Sequence, residues 1–410
     1  MTVKTTKAVE ACRIRRLQNP VMPYAWGSRT AIADLTGRPV PSPQPEAELW
    51  MGAHPKAPSQ VICNGRTVSL SEWIAQAPEA VLGENVIQRF GNQLPFLFKV
   101  LAAAEPLSIQ AHPNMAQART GYERENRAGI PLDAPQRNYR DGNHKPEILC
   151  ALTEFWGVNG FRAIDDIRRQ LKRYCPDTLA LFFDELDRTR PEKTLRHLFA
   201  RMLELQGQTK NNTIAEALDR AATAWPEDPI SRWVLKLSAA YPGDIGILAP
   251  IILNLVELMP GQAMYLPAGQ LHAYLEGVGI ELMANSDNVL RGGLTPKHID
   301  RDELLAVLCF QSSDPGVMRA QPISPTEACF LTSAAEFSLA KLTITTGCRH
   351  EALPNRNIEI LIVLAGEATL AVVDSGEKFP LHRGDSLMIP AAAPAYHISG
   401  QAEIYKATVP

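Results

Sequence analysis

The chain has no apolar run long enough to cross a bilayer, which excludes a helical membrane protein. It has no surplus of either charge. Lysine and arginine number 41 against 44 aspartate and glutamate, for a formal charge of -3, so nothing draws the whole molecule to nucleic acid or to an anionic membrane. A local basic pocket for a small anion stays compatible with that balance. Cysteines are few and scattered: Cys12, Cys63, Cys150, Cys175, Cys309, Cys329 and Cys348. Their odd number and the lack of any Cys-x-x-Cys exclude a disulfide framework and a cysteine zinc site. Reduced, buried thiols in a cytoplasmic protein are expected. Residues 1–16 carry scattered charges and no apolar core, so no secretory signal is expected there.

What is present is an ordinary globular balance, 45% hydrophobic and 21% charged, in 410 residues. That length predicts two or three domains. Residues 10–70 and 316–410 are punctuated by Gly and Pro in the manner of short strands. Residues 163–240 instead carry apolar residues at helical spacing: Ile164, Ile167 and Leu171, then Leu195, Leu198 and Met202, then Ile230, Trp233 and Leu237. Pro191 suits a first helical turn and Asn212 or Thr213 a cap. Residues 69–90 read as helical, capped at Ser69 or Ser71. A short helix is expected near Met115 to Arg127, and another over Pro296 to Cys309 capped at Asp300. The expected organisation is mainly β with a helical insert: a catalytic β domain in two parts, 1–160 and 241–300, a helical domain at 161–240 and a further β domain at 301–410.

Three stretches carry chemistry. Residues 261–293 hold strand-length apolar runs broken by Pro267, Gly269, Gly277 and Gly279, with His272, Tyr274, Glu281, Asp287 and Arg291 among them. His272 and Tyr274 share one strand face. Past Pro106, Leu107, Ile109 and Ala111 alternate with Ser108, Gln110 and His112, so three polar groups face either water or a site. Glu147 opens an apolar run just after Pro146, with His144 and Lys145 beside it. Gln110, His112, Glu147 and His272 together offer an amide, a carboxylate and two imidazoles, a donor set suited to zinc or another divalent ion. Ordinary hydrogen bonding of each stays open at this point.

Gly261, Pro267, Gly269 and His272 stand at the spacing of the second cupin motif, in which a turn presents a histidine inside a small jelly roll. The skeleton returns at Glu359, Gly366, Gly384 and Pro390. There Ala395 replaces the histidine, and Leu353, Pro354 and Asn355 occupy the region of the paired histidines. The resemblance implies two cupin-type jelly-roll barrels plus the helical domain, with metal in the first barrel only.

Longer motifs sharpen this. Tyr24-Ala-Trp-Gly-Ser28, Glu48-Leu-Trp-Met-Gly-Ala-His-Pro55 and Leu94-Pro-Phe-Leu-Phe-Lys-Val-Leu101 resemble the type I mannose-6-phosphate isomerase family. So do Pro106 to Pro113, Asn143-His-Lys-Pro-Glu147 and the run from Ala284 to Lys297. The resemblance spans nearly the whole chain. It implies one zinc held by Gln110, His112, Glu147 and His272, with Arg291 as active-site arginine. It implies reversible interconversion of mannose 6-phosphate and fructose 6-phosphate, by a cytoplasmic monomer acting on a small phosphosugar.

The chemistry asks for more. Moving a proton between C2 and C1 needs a base, for which Lys145 and His144 lie nearest in sequence, with Asp287 or Glu281 to orient or relay. The phosphate asks for cations and hydroxyls: Lys99, Ser108, Lys145 and Lys297. Tyr274 is expected to touch substrate. A bland alternative has Arg291 simply paired with Asp287. Two rival functions stand beside the isomerase: a metal-dependent cupin dioxygenase, since two His and one Glu suit iron(II), and a non-catalytic phosphosugar-binding cupin.

Overall fold

The strand His272–Ala284 is the spine of the first barrel. Its first half pairs antiparallel with Phe155–Phe161, setting His272 opposite Asn159 and Tyr274 opposite Gly157. Its second half lies between Phe96–Ala103 and Glu147–Ala151, setting Glu281 opposite Lys99 and Leu149. The change of partners falls at Gly277. Its φ is +131°, and a Cβ there would stand 2.7 Å from the Glu154 carbonyl oxygen, so only glycine fits. In this computed structural model the described residues are 12–63, 65–185, 189–352 and 355–410. The readings made on residues 1–11, Leu353 and Pro354 fall outside them.

Strand alternation then assigns each side chain a face. Phe96, Phe98, Val100, Ile148, Cys150, Ile280 and Leu282 face outward and pack with Ile358, Ile360, Ile362, Met388 and Tyr405 of the second β unit in one apolar core. Their neighbours Leu101 and Leu149, with Leu266 and Tyr274, side with the barrel interior. Burial on both faces is why these strands read as near-continuous apolar runs. Each large side chain so buried contributes about 1.5–3 kcal/mol. The polar residues Lys99, Glu147 and Glu281 share the interior face, where their burial is 6%, 3% and 3% exposed.

The first sheet has eleven strands and the second nine among the described residues. Two short strands cross between chain regions. Arg15–Arg16 pairs with Leu387 and Met388 in the second sheet, and Val317–Arg319 extends the first sheet along Gln262, Ala263 and Met264. Inside the second unit, Lys406 stands 2.6 Å from Glu327 and 3.5 Å from Glu359, while the Tyr396 hydroxyl donates to Glu359 at 2.7 Å. Its buried charges are thus matched by its own lysine.

The insert forms helices Ile164–Tyr174, Leu179–Asp184, Pro191–Glu204, Gly207–Thr223 and Pro229–Ala240, with Pro191 at a helix start. Asn212 and Thr213 cap nothing. The helix begins at Gly207, and the Thr213 hydroxyl donates back to the Thr209 carbonyl at 3.0 Å. The run at 69–90 is three helices, Leu70–Gln76, Pro78–Leu82 and Glu84–Phe90, because Pro78 and Gly83 interrupt it. Ser69 is the cap, in a capping box with Glu72. Asp300 caps a helix of only Arg301–Val307, shorter than the stretch from Pro296 to Cys309. Asn114 caps Met115–Arg127 in a box with Gln117. No helix of the described residues is long and apolar enough to cross a membrane.

Candidate metal centre

The three groups His112, Glu147 and His272 converge inside the first barrel. Their ligand-type atoms lie within 4.8 Å of one another, and all three residues are buried. Three separate strand ends deliver them. His112 follows Ile109–Ala111, Glu147 opens its strand between Leu266 and Met283, and His272 opens the spine strand opposite Gln110.

The imidazoles are pinned from behind. His112 Nδ1 donates to the Asn288 carbonyl at 2.7 Å, and His272 Nδ1 donates to the Gln270 carbonyl at 3.0 Å. With the proton held on Nδ1, each Nε2 presents its lone pair to the centre. Each Nε2 then faces a Glu147 oxygen at 3.4 Å, and His112 Nε2 has no hydrogen-bond partner. Acceptors aimed at acceptors repel unless a cation sits among them. Two neutral imidazoles and one carboxylate are a zinc-type donor set with room for further ligands. Burial pushes His112 down to about 4, keeping the ring neutral, as a ligand must be. Burial works against ionised Glu147, but the Lys145 ammonium at 3.0 Å outweighs it and holds the carboxyl well below its ordinary range.

Gln110 occupies the register position between His272 and Arg291, and its amide donates to the Ser108 hydroxyl at 3.3 Å. Tyr274 lies on the His272 face with ring centres 6.2 Å apart, and its ring meets Phe155 edge-on.

Two candidate residues meet partners outside the trio. His144 is a candidate base. Its Nε2 donates to Glu336 at 2.7 Å, tying the loop before Glu147 to the second β unit. Lys99 was expected on the phosphate, but its ammonium is buried and matched, 2.7 Å from Glu281 and 3.4 Å from Glu48. Burial alone would lower Lys99; the two carboxylates outweigh it and raise it. Glu281, a candidate to orient or relay, is thereby held by Lys99.

Arg291 is not paired with Asp287. Among the described residues its half-buried guanidinium makes no hydrogen bond or ion pair, and burial together with Arg140 lowers its pKa. Asp287 instead lies 3.5 Å from His54 Nε2; that contact holds its carboxyl below the ordinary range. Lys297 is lowered by partial burial and by Arg291, Arg140 and Lys56, so four cations share one neighbourhood. Their mutual repulsion is relieved by an anion. Arg140 and Lys56 escaped the sequence reading, while Glu48 and His54 were read only within the motif Glu48 to Pro55, with His54 as a structural turn residue. The shared sign of Arg140, Arg291 and Lys297 was visible, but their proximity was not.

A jelly-roll barrel with a buried His–Glu–His set defines the class of metal-binding cupins. Family models then match the chain in three parts: the type I phosphomannose isomerase catalytic domain at residues 14–164, its helical insertion domain at 167–253, and the mannose-6-phosphate isomerase cupin domain at 326–409. The mannose-6-phosphate isomerase of Salmonella typhimurium is 42% identical over 391 residues, covering 94% of this chain and 97% of its own. That of Escherichia coli is 41% identical over 395 residues, covering 95% and 98%. The crystal structure of the Salmonella typhimurium enzyme bound to fructose 6-phosphate and zinc superposes with a TM-score of 0.89 at 40% identity, covering 97% of this chain and 99% of that one. The chain belongs to the type I phosphomannose isomerase family.

Proposed function

We propose that the chain is a zinc-dependent aldose–ketose isomerase that interconverts D-mannose 6-phosphate and D-fructose 6-phosphate in mannose metabolism, with one zinc per chain. The observation that carries this reading is the trio of acceptors turned on one point, with both imidazole protons held on the far nitrogens. Family membership and the unpaired cations beside the trio support it. No observation favours a dioxygenase.

Zinc held by His112, Glu147 and His272, with Gln110 as a fourth donor, would supply positive potential beside a sugar oxygen. The remaining work falls to the chain. The proton shift between C2 and C1 passes through an enediolate, whose oxygens need fixed positive charge as they become negative. Arg291 keeps its charge throughout and offers a fork of donors to adjacent oxygens. Lys145, 3.0 Å from Glu147, is the group we assign to hold and move the proton, since His144 is engaged with Glu336. Asp287, partly exposed and held ionised by His54, orients or relays. Tyr274 walls the sugar on the His272 side. Ser108 and Lys297 are assigned to the phosphate, and Lys99 to holding Glu281 and Glu48 in place.

One chain carries every one of these groups, which fits a monomer. The thiols are not uniformly buried as expected: Cys150 and Cys175 are buried, whereas Cys309 and Cys348 are exposed. The test is metal analysis joined to a coupled assay of fructose 6-phosphate turnover. Iron with oxygen uptake and no isomerisation would refute the proposal, as would phosphosugar binding without turnover.

A further inference from the structure

One wholly buried polar side chain near the metal centre has no part in the chemistry above. Asn288 is 0% exposed, and each of its four polar atoms is engaged. Its backbone carbonyl accepts from His112 Nδ1 at 2.7 Å. Its backbone nitrogen donates to the Ser286 hydroxyl at 3.2 Å. Its side-chain oxygen accepts from the backbone nitrogens of Arg140 at 2.7 Å and Asp141 at 3.3 Å. Its amide nitrogen donates to the carbonyls of Asp141 at 2.8 Å and Asn143 at 2.9 Å, and to Asp141 Oδ1 at 3.2 Å.

A side chain that must accept from two N–H groups and donate to two carbonyls over so short a reach has to be asparagine. Aspartate cannot donate, and glutamine is a methylene too long. The result joins two things that chemistry would want at a set separation. On one side is an imidazole of the metal trio. On the other is the segment 140–143, which leads directly to Lys145 and Glu147 and carries Arg140. The Arg140 side chain is exposed and, among the described residues, its guanidinium makes no hydrogen bond or ion pair. It stands close enough to Arg291 and Lys297 to depress both.

We propose that Asn288 is a positioning residue that fixes the spacing between the metal centre and an anion-binding guanidinium, that of Arg140, so that a substrate's phosphate and its reacting end are held a set distance apart. This deepens the isomerase reading and takes from it only that the anion belongs to a sugar phosphate. Loss of the tether frees the segment without touching the His112 bond, which comes from the backbone.

The experiment uses the full zinc-loaded chain, with zinc content and affinity for inorganic phosphate measured side by side. Asn288→Ala is expected to keep its zinc while phosphate affinity falls about tenfold, the scale of one charge-assisted hydrogen bond. KM for fructose 6-phosphate rises with it, and kcat falls less. Arg140→Ala gives the same loss of phosphate affinity. The double variant loses no more than Arg140→Ala alone, because the tether acts through that guanidinium. Should the alanine variant not fold, Asn288→Asp keeps the acceptor and loses both donations, with the same expectation. Unchanged phosphate affinity in the Asn288 or Arg140 variant overturns the inference, and so do additive losses in the double variant. A wild-type chain that binds phosphate yet fails to isomerise fructose 6-phosphate defeats the functional reading instead, and the phosphate affinities still decide the tether.

Discussion

His144 donates to Glu336 at 2.7 Å across 192 positions of sequence, from the loop that leads into the metal centre to a segment of the second β unit. Burial pushes the Glu336 carboxyl up, but the bond and charge of His144 prevail, and it lies below its ordinary range. A carboxyl lowered on folding adds stability above its unfolded pKa, and that stability is lost as pH falls through the folded value. Glu336→Gln is therefore expected to unfold at lower denaturant than wild type near neutral pH, with the gap closing in acid. A gap that stays constant down through the carboxylate range would show that the pair contributes nothing through charge.

Lys99 separates packing from phosphate binding. Replacing it by methionine leaves Glu48 and Glu281 facing each other in a buried interior, at a cost of about 3–5 kcal/mol. Thermal unfolding should register that loss, and Glu281→Gln in the same chain should recover part of it. A stable Lys99→Met protein whose only defect is a raised KM would return Lys99 to the phosphate.

Arg291→Ala is expected to retain zinc and to lose turnover by about 10²–10³, the usual scale for one group that stabilises developing negative charge. Arg291→Lys should restore little, because a point charge lacks the fork. Steady-state kinetics with parallel zinc determination checks this, and retained kcat removes Arg291 from the mechanism.

His272→Ala removes one imidazole of the trio and leaves its neighbours converging on a poorer site. Zinc per chain should fall steeply, and turnover should fall in proportion to the zinc retained. Wild-type zinc content in this variant would place the metal elsewhere.

Local features were legible in the residues before any fold was known. The cap at Ser69 and the helix near Met115 to Arg127 were readable because a helix start is a matter of a few neighbouring residues. The shared face of His272 and Tyr274 follows from alternation. Gly277 and Gly279 read as breaks between short strands, yet one strand, His272–Ala284, runs through both and changes partners at Gly277. What spacing does not encode is which face meets which. Glu48, Lys99 and Glu281 lie on three strands that become neighbours only when the barrel closes. Glu336 reaches His144 from another β unit. The hydroxyl of Thr213 looked like a cap because its sequence context suits one, yet tertiary packing starts the helix six residues earlier. The Asn288 side chain satisfies the backbone of the turn at 140–143, and that this turn also carries Arg140 appears only in three dimensions.

The most direct test of the account is zinc stoichiometry measured against the rate of fructose 6-phosphate isomerisation, through removal and return of the metal. The account predicts one zinc per chain, turnover abolished by a chelator and restored by zinc. Full turnover in verified metal-free protein would contradict it.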